Sequence, residues 1–278
     1  FNREVTDKML PVDMYVGGAE HAVMHLLYAR FFVKALRDMG YLDFDEPFAK
    51  LVHQGTILGP DGQKMSKSRG NVINPDELIA QYGSDVFRMY LEFGFSYVEG
   101  GAWSEDGIKA VSRFLDRVER LVDSAIARRS QKTAATEAER ELLFVLHNTI
   151  KAVGQDAGRF SFNTAIARLM ELVNACYKYM EAPMVSGALL AETVKTFLLL
   201  LAPFAPHRAE ELWQLMGGDY SIFNQPWPEY DPAALVRDEV EYAVQVNGKF
   251  RARLTLSAQL SQEEAQAAGS YSGQGWLK

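Results

Sequence analysis

Two lysines three residues apart, Lys64 and Lys67, lie in the stretch GPDGQKMSKSRGN, between glycines and beside two serines. Two ammonium groups at this spacing could neutralise the negative charge that builds on a departing pyrophosphate. Gly59, Gly62 and Gly70 would give the stretch the mobility of a loop that closes over its ligand. It is not a Walker P-loop, because no G-x-x-x-x-G-K-[ST] run opens a helix. The alternative is a solvated loop without a ligand, and the loop residues alone do not decide between the two.

A second group of polar residues follows the glycine pair Gly17-Gly18: Glu20, His21 and His25. A strand, a glycine pair and a helix N-terminus together form a place where backbone approaches a ligand closely. A carboxylate there would accept protons from sugar hydroxyls and would repel phosphates. The two histidines, four residues apart on one predicted helix face, could ligate zinc. HAVMH lacks the internal glutamate of a metalloprotease helix and no further ligand set is convincing, so we expect no metal site. The structural alternative is one packed and one solvated histidine.

Secondary-structure signals place both groups in an α/β region. VDMYVGG is predicted to be a short strand, AEHAVMHLLYARFFVKALRDMG a helix, and FAKLVHQGTILG a strand that leads into the lysine loop. After the loop, NPDELIAQYG predicts a helix with Asn74 as N-cap and Glu77 as its capping-box partner. SDVFRMYLEFG predicts a helix capped by Ser84. We expect no helix or strand to start in the first ten residues, FNREVTDKML.

The middle of the chain is predicted to be helical. Four long stretches between about residues 105 and 217 carry apolar residues at three- and four-residue spacing, which is typical of an antiparallel bundle. Pro203 and Pro206 must bend or divide the last of them. Beyond the proline-rich NQPWPEYDP, the stretch EYAVQVNGKFRARLTLS predicts a hairpin around Asn247-Gly248, and QEEAQAA could begin a helix.

Composition limits the class of protein. The chain has 278 residues, 48% of them hydrophobic and 23% charged, which is ordinary for a globular protein. The net charge of −7 argues against a general nucleic-acid coat protein but leaves room for a local basic surface. The single cysteine, Cys176, excludes an internal disulfide and indicates a reducing, cytoplasmic compartment. No stretch is apolar for long enough to predict a membrane span.

The sequence resembles one family over about residues 5 to 257. KMSKS at Lys64–Ser68, followed by RGNVINP, resembles the signature of class I aminoacyl-tRNA synthetases. PVDMYVGGAEHAVMHLLYARFF is similar over nearly its whole length to a strand and helix of leucyl-tRNA synthetases. RFLDRVERLV, RFSFNTAIARLMELVN, LAPFAPHRAEELW, PWPEYD and VQVNGKFR follow in that family's order. The isoleucyl and valyl enzymes share the lysine loop and LAPFAPH, but not GGAEHAVMH.

The resemblance implies a role for each residue of the two groups. Residues implied to bind ATP are Gly17, Gly18, Glu20, His21, Leu51, Val52, Lys64, Met65, Ser66, Lys67 and Ser68. Gly17, Gly18 and Glu20 would line the ribose pocket, with His21 beside the adenylate and the backbone of Leu51, Val52 and Met65 near the adenine. Lys64 and Lys67 are implied to be catalytic, with Lys67 the more critical. Tyr15 and His25 are implied to shape the leucine side-chain pocket.

The implied reaction has two steps. Leucine and ATP with Mg²⁺ give leucyl-adenylate, and tRNA(Leu) then takes the leucyl group as an ester. The implied partners are tRNA(Leu), leucine and ATP, in a cytoplasmic protein that is a monomer and does not meet a membrane.

A basic stripe on the first bundle helix is a candidate tRNA contact, formed by Lys109, Arg113, Arg117 and Arg120. Because Asp116 and Glu119 are interleaved, a solvated, salt-bridged face is the alternative. The resemblance favours phosphate contact, which would weaken steeply with salt. Lys249 and Arg251 of the terminal hairpin would belong to a small domain that reaches the tRNA elbow.

The fold implied is mainly α with an α/β N-terminal piece. Residues 1–74 would be the C-terminal part of a Rossmann-type catalytic domain with the lysine loop, and 75–104 a connector that contacts the tRNA stem. Residues 105–225 would be a helical bundle of the anticodon-binding type. Residues 226–278 would be a linker and a truncated α/β C-terminal domain.

Departures from the family are as informative as the matches. The HIGH tetrapeptide occurs nowhere in the chain, and nothing corresponds to the first half of the nucleotide fold or to the editing domain. Only GPDGQ stands where some relatives carry an extra domain, and GSYSGQGWLK does not match the family. We therefore expect a C-terminal segment of a leucyl-tRNA synthetase, incomplete at its end and inactive alone. The alternatives are another synthetase of the isoleucine and valine group, or a non-catalytic tRNA-binding protein derived from a synthetase.

Overall fold

The structure is a computed structural model that describes residues 2–129, 131, 136–236, 239–246, 249–257 and 264. It begins with helix α1, Arg3–Met9, so the expectation that no element starts in the first ten residues is wrong. Asn2 caps this helix by accepting a hydrogen bond from the Val5 N–H at 3.2 Å, and Glu4 lies in its first turn. Both are ordinary helix-start signals, because they satisfy or complement the free N–H groups of the first turn.

Strand β1, Tyr15–Gly18, confirms the prediction for VDMYVGG, but the helix after it starts later than predicted. Residues Ala19–Val23 form a 3-10 turn, and helix α2 runs over His25–Asp38. Met24 separates them, with φ −118° and ψ −104°. The prediction of one continuous helix face for the two histidines is therefore wrong.

The strand predicted for FAKLVHQGTILG divides into two. Strand β2, Leu51–Gln54, pairs with β1 in parallel, and strand β3, Thr56–Leu58, pairs in parallel with β4, Gly100–Ala102. The division falls at Gly55, where a Cβ atom would collide with the backbone of Gly100. Only glycine admits so close a backbone approach.

Two helices follow the lysine loop, α3 at Pro75–Tyr82 and α4 at Ser84–Phe93. The N-cap prediction for α3 is confirmed, because the Asn74 side chain accepts a hydrogen bond from the Asp76 N–H at 3.2 Å. Glu77 joins this cap by accepting from the Asn74 side-chain amide at 3.1 Å. The prediction of Ser84 as the α4 cap is wrong, because Gly83 holds the cap position with no side-chain bond.

The larger part of the core belongs to five helices. Their bounds are Glu105–Arg128 for α5, Glu137–Gly158 for α6, Phe162–Met180 for α7, Gly187–Leu201 for α8 and Pro206–Leu215 for α9. The predicted division at Pro203 and Pro206 is confirmed. Helix α6 packs on α7, α5 packs on α7 and α8, and α4 packs on α5, α7 and α9. One cluster of buried side chains in the described ranges runs from α4 into these helices, so the connector and the helical region share a core.

A proline-rich strap then crosses α6. The Lys151 ammonium lies 5.4 Å from the centroid of the Tyr230 ring, and the Asp231 N–H donates to His147 Nδ1 at 3.0 Å. Strands β5, Glu239–Val246, and β6, Lys249–Ser257, pair in an antiparallel hairpin, as predicted. The turn residues Asn247-Gly248, most of QEEAQAA and all of GSYSGQGWLK lie outside the described residues. In the ranges that are described, no helix is long and apolar enough to cross a membrane.

Candidate active site

The glycine pair of β1 brings four predicted site residues together. A Cβ atom on Gly17 would lie 3.6 Å from His21 Cδ2, and one on Gly18 would collide with the Glu20 carboxylate. Glu20 and His21 therefore fold back from the 3-10 turn against the end of the strand. This arrangement leaves a carboxylate, an imidazole and bare backbone at one strand end.

Tyr15 and His25, the two predicted leucine-pocket residues, are also in contact. The Tyr15 hydroxyl lies 3.0 Å from His25 Nδ1, and their ring centroids are 5.5 Å apart. Phe48 completes an aromatic cluster, with its centroid 4.6 Å from that of Tyr15. Sequence reasoning missed Phe48, because its contact with Tyr15 depends on the pairing of β1 with β2.

Two histidine nitrogens near the glycine pair lack partners in the described part of the chain. Nδ1 of His21 and Nδ1 of His53 are both buried without a hydrogen bond. His53 lies directly opposite Gly17 in the parallel register. Its side chain therefore points to the same face of the sheet as a side chain at position 17 would. Buried polar atoms usually have partners, so these two nitrogens are unusual in having none among the described residues. Sequence reasoning missed His53 as well, because only the strand register brings it to the glycine pair.

The lysine loop leaves β3 and returns on itself. Leu58 pairs with Lys64 in an antiparallel bridge, and the Gly59 N–H donates to the Gln63 carbonyl at 2.8 Å. Met65 is half-buried and packs against the main core, which anchors the middle of the loop. Lys67–Arg69 form a 3-10 turn that ends at Gly70, whose φ of +68° is one that residues with a side chain rarely adopt.

Hydrogen bonds tie the serines of the loop to its base. The Ser66 and Ser68 hydroxyls lie 2.8 Å apart, and the Ser66 N–H donates to Asn71 Oδ1 at 2.8 Å. The Asn71 side-chain N–H donates to Asp61, and this hydrogen bond is the largest of the causes that lower the pKa of the Asp61 carboxyl group. The loop therefore has a defined shape that its own residues hold.

The side chains of Lys64 and Lys67 are exposed on this loop. Neither ammonium group has a hydrogen-bond or ion-pair partner within the described ranges. β2 and β3 adjoin at Gly55, so one stretch of chain carries both His53 and the loop. Free cations on a shaped loop, joined to a strand that borders a glycine pair, suit an anionic nucleotide.

Metal binding by the histidines has no support from geometry. His21 and His25 stand on different elements, and His25 is hydrogen-bonded to Tyr15. In the described part of the chain, no group of three histidine, cysteine, aspartate or glutamate side chains could hold a metal ion.

Comparison with known proteins shows which proteins the chain is similar to. Residues 1–103 match the family model "tRNA synthetases class I (I, L, M and V)", and residues 139–266 match "Anticodon-binding domain of tRNA ligase". Leucine–tRNA ligase of Clostridium perfringens is 59% identical over 272 residues, which are 96% of this chain and 33% of that protein. The protein of the same name from Caldanaerobacter subterraneus is 59% identical over 269 residues, 95% of this chain and 33% of that protein. The chain is similar over nearly its whole length to leucine–tRNA ligases. It spans about a third of the length of these relatives.

Solved structures show a similar relationship. A LeuRS from Agrobacterium radiobacter, in a ternary complex with tRNA and LeuAMS, is 36% identical with a TM-score of 0.83. The match covers 96% of this chain and 35% of that one. Methionyl-tRNA synthetase of Mycobacterium tuberculosis shares the fold at 19% identity, with a TM-score of 0.62 over 84% of this chain and 48% of that one.

The basic stripe on α5, formed by Lys109, Arg113, Arg117 and Arg120, takes part in contacts within the protein. Arg117 donates to Asn174 at 2.8 Å and stacks over Tyr177 at 5.2 Å, so it is a packing residue of the α5–α7 contact. The Lys109 ammonium lies 4.0 Å from Asp106, and Arg113 and Arg120 are exposed. The interleaved Glu119 forms an ion pair with Arg208 of α9, not with the stripe.

The hairpin residues predicted to bind tRNA lie on a described backbone. Lys249 pairs with Val246, and Arg251 occupies an irregularity in the register, where Gln245 pairs with Phe250 and Val244 with Ala252. The side chains of both residues lie outside what the structure describes.

Proposed function

We propose that this chain carries one half of the leucine-activating site of a leucine–tRNA ligase, together with the helical region that meets tRNA(Leu). The observation that supports this most is the shaped lysine loop whose two ammonium groups have no partner in the described ranges. The relatives of the same family support leucine as the substrate over isoleucine or valine.

In the first step, a leucine carboxylate oxygen attacks the α-phosphorus of ATP with Mg²⁺, and pyrophosphate leaves. Lys64 and Lys67 hold the β- and γ-phosphates and stabilise the charge that grows on the leaving group. The effect is electrostatic and is largest in the transition state, because the negative charge on the leaving oxygen is largest there.

The glycine pair holds the nucleoside end. Glu20 accepts hydrogen bonds from the ribose hydroxyls, while Gly17 and Gly18 let the sugar approach the backbone. His21 lies beside the adenylate, and the backbone of Leu51, Val52 and Met65 borders the adenine. Tyr15 and His25, hydrogen-bonded to each other, enclose the leucine side chain.

In the second step, a ribose hydroxyl at the end of tRNA attacks the leucyl carbonyl carbon, and AMP leaves. Residues 1–74 are proposed as the catalytic part, 75–104 as the connector to the tRNA stem and 105–225 as an antiparallel bundle of the anticodon-binding type. Residues 226–278 are proposed to place Lys249 and Arg251 at the tRNA elbow. On the bundle, Lys109, Arg113 and Arg120 supply phosphate contacts and Arg117 supports them through α7. We propose a cytoplasmic monomer.

The test is a full-length ligase in which this chain replaces the matching third of the Clostridium perfringens relative. Leucine-dependent ATP–pyrophosphate exchange is expected from the unmodified hybrid. A hybrid that unfolds cooperatively yet shows no exchange refutes the proposal.

In the same hybrid, Lys67→Ala is expected to lower kcat for exchange by roughly 100-fold with little change in the KM for leucine, because Lys67 acts on the transition state. Lys8→Ala removes an exposed lysine that pairs only with Glu4 in the described ranges, and serves as the matched control. A parallel rise in the KM for leucine, or an unchanged kcat, would contradict the role of Lys67.

A further inference from the structure

We propose that Asn71 is a positioning residue for the activation step, acting with Asp61 as a clasp that shapes the lysine loop and keeps its only acid away from the lysines. This inference rests on the proposed function of the loop. The clasp is defined as the side chains of Asn71 and Asp61 with their mutual hydrogen bonds.

The clasp joins the two arms of the loop through a single amide. Asn71 Nδ2 donates to both carboxylate oxygens of Asp61, at 3.0 and 3.1 Å, and lies 3.4 Å from the Lys64 carbonyl oxygen. Asn71 Oδ1 accepts the Ser66 N–H at 2.8 Å. Asp61 also accepts the Gln63 N–H at 3.0 Å. The Asn71 side chain, which belongs to the return arm, therefore bonds both the arm before the lysines and the backbone between them.

Backbone geometry supports the same contact. A Cβ atom on Gly59 would lie 2.7 Å from Asp61 Oδ1 and 2.9 Å from Asn71 Nδ2, so only glycine leaves room for the clasp. Gly70, with φ +68°, turns the chain immediately before Asn71. These glycines fit a closed hydrogen-bonded loop base at least as well as a mobile hinge.

The clasp has a second role, which is to keep the negative charge of Asp61 from pairing with the lysines. Asp61 is the only acidic residue between Gly59 and Asn74, and it lies three residues from Lys64. A carboxylate free to pair with Lys64 or Lys67 would neutralise the charge that the loop offers to pyrophosphate. Asn71 bonds both of its oxygens instead, and the loop cation that helps to lower the pKa of Asp61 is Arg69. The lysines thus stay uncommitted.

The two residues can exchange roles, which provides a decisive test. In the double variant Asp61→Asn with Asn71→Asp, the amide introduced at position 61 donates to the carboxylate introduced at position 71, and its oxygen accepts the Gln63 N–H. The carboxylate at position 71 still accepts the Ser66 N–H. The net charge is unchanged. Asn71→Asp alone places two carboxylates against each other and removes the donor.

In the hybrid ligase, Asn71→Asp is expected to lower kcat for exchange by roughly 10- to 100-fold with little change in the KM for leucine, because misplaced groups act poorly on the transition state. The double exchange is expected to recover at least half of that loss on a logarithmic scale. Gln81→Glu adds the same charge at an exposed position of α3, away from the clasp, and should leave kcat within about threefold. A double variant as slow as Asn71→Asp, or an Asn71→Asp variant with the unmodified kcat, would overturn the proposal.

Hydrogen exchange measured on this chain alone tests the clasp independently of the proposed function. Protection of the Ser66 N–H should fall in Asn71→Asp and return in the double variant, whether or not the hybrid makes leucyl-adenylate. Unchanged protection in Asn71→Asp would show that the clasp does not hold the loop. An inactive hybrid with the expected exchange pattern would instead reject the proposed function alone.

Discussion

At the scale of single residues, the sequence shows which chemical groups are present, and the structure shows which partners they have. The spacing of Lys64 and Lys67 allows phosphate binding, but these residues alone also fit a solvated loop without a ligand. The spacing does not reveal that Asp61 is hydrogen-bonded to Asn71, nor that the two ammonium groups have no ion-pair partner in the described ranges. His53 makes the same point, because its position opposite Gly17 follows from strand register.

Glu92 of α4 is a residue whose environment predicts a pH effect on stability. Its Oε1 lies 3.1 Å from Arg88, while its buried Oε2 has no hydrogen-bond partner in the described part of the chain. Burial raises the pKa of Glu92 to about 7, against an opposing effect of Arg88. In the unfolded chain the pKa is near 4.5, so the folded state binds more protons between these values.

The free energy of unfolding should therefore fall as pH rises from 4.5 to about 7, by at most about 3 kcal/mol from this group. Below pH 4.5 the contribution is fully present, and above pH 7 it is lost. Urea denaturation at pH 5 and pH 8 measures this difference. It should shrink in Glu92→Gln and persist in Glu99→Gln, an exposed control; an undiminished pH dependence in Glu92→Gln would contradict the assignment.

At the scale of elements, one helix is capped by another. Helix α9 starts after Ala205, which has no side chain able to accept a hydrogen bond. Asp85 of α4 supplies that function, accepting from the Arg208 N–H at 2.7 Å and lying 2.7 Å from His207 Nδ1. Helix α4, the second helix after the lysine loop, is thus tied to the helical region by a buried carboxylate.

Asp85→Ala should lower the free energy of unfolding by about 1–3 kcal/mol, because it leaves a helix N-terminus without its acceptor. Asp116→Ala, an exposed site in the middle of α5, should change it by less than about 0.5 kcal/mol. Urea denaturation at pH 7 measures both. Equal effects of the two substitutions would show that the cap contributes nothing.

Local signals account for the elements that the sequence predicted well. Asn74 with Pro75 marks the start of α3, and two prolines separate α8 from α9, because capping and the missing proline N–H act within a few residues. The errors have distant causes or overlooked signals. Gly55 divides a strand because Gly100 packs against it, and α2 starts late because Ala19–Val23 turn against β1. The start of α1 was available in Asn2 and Glu4.

At the scale of the whole molecule, the composition of the site sets a limit on what this chain does alone. It holds the lysine loop and the glycine pair but no HIGH tetrapeptide, and it spans about a third of the length of its relatives. Helix α2 also exposes Leu27, Phe31 and Phe32 by 55%, 72% and 65%. An exposed apolar face of this kind commonly marks a contact surface.

Under the proposed function this chain supplies one half of the activating site, so by itself it is expected to give no leucine-dependent ATP–pyrophosphate exchange above background. The Lys67→Ala form of the same chain provides the background rate. Exchange by the unmodified chain that clearly exceeds that rate would contradict the expectation of a half site.

The sequence by itself determined which chemical groups are present and where most of the helices lie. Residue type decides charge and hydrogen-bonding capacity, and caps, prolines and apolar spacing act over a few residues. Tertiary structure decided which groups meet: His53 with the glycine pair, Phe48 with Tyr15, Arg117 with Tyr177 and Asp85 with the start of α9. These contacts depend on strand register and helix packing, which bring together residues far apart in the chain. The two unpaired loop lysines depend on both sequence and structure. The sequence sets their residue type, and hydrogen bonds hold the loop shape in which they have no partner in the described ranges.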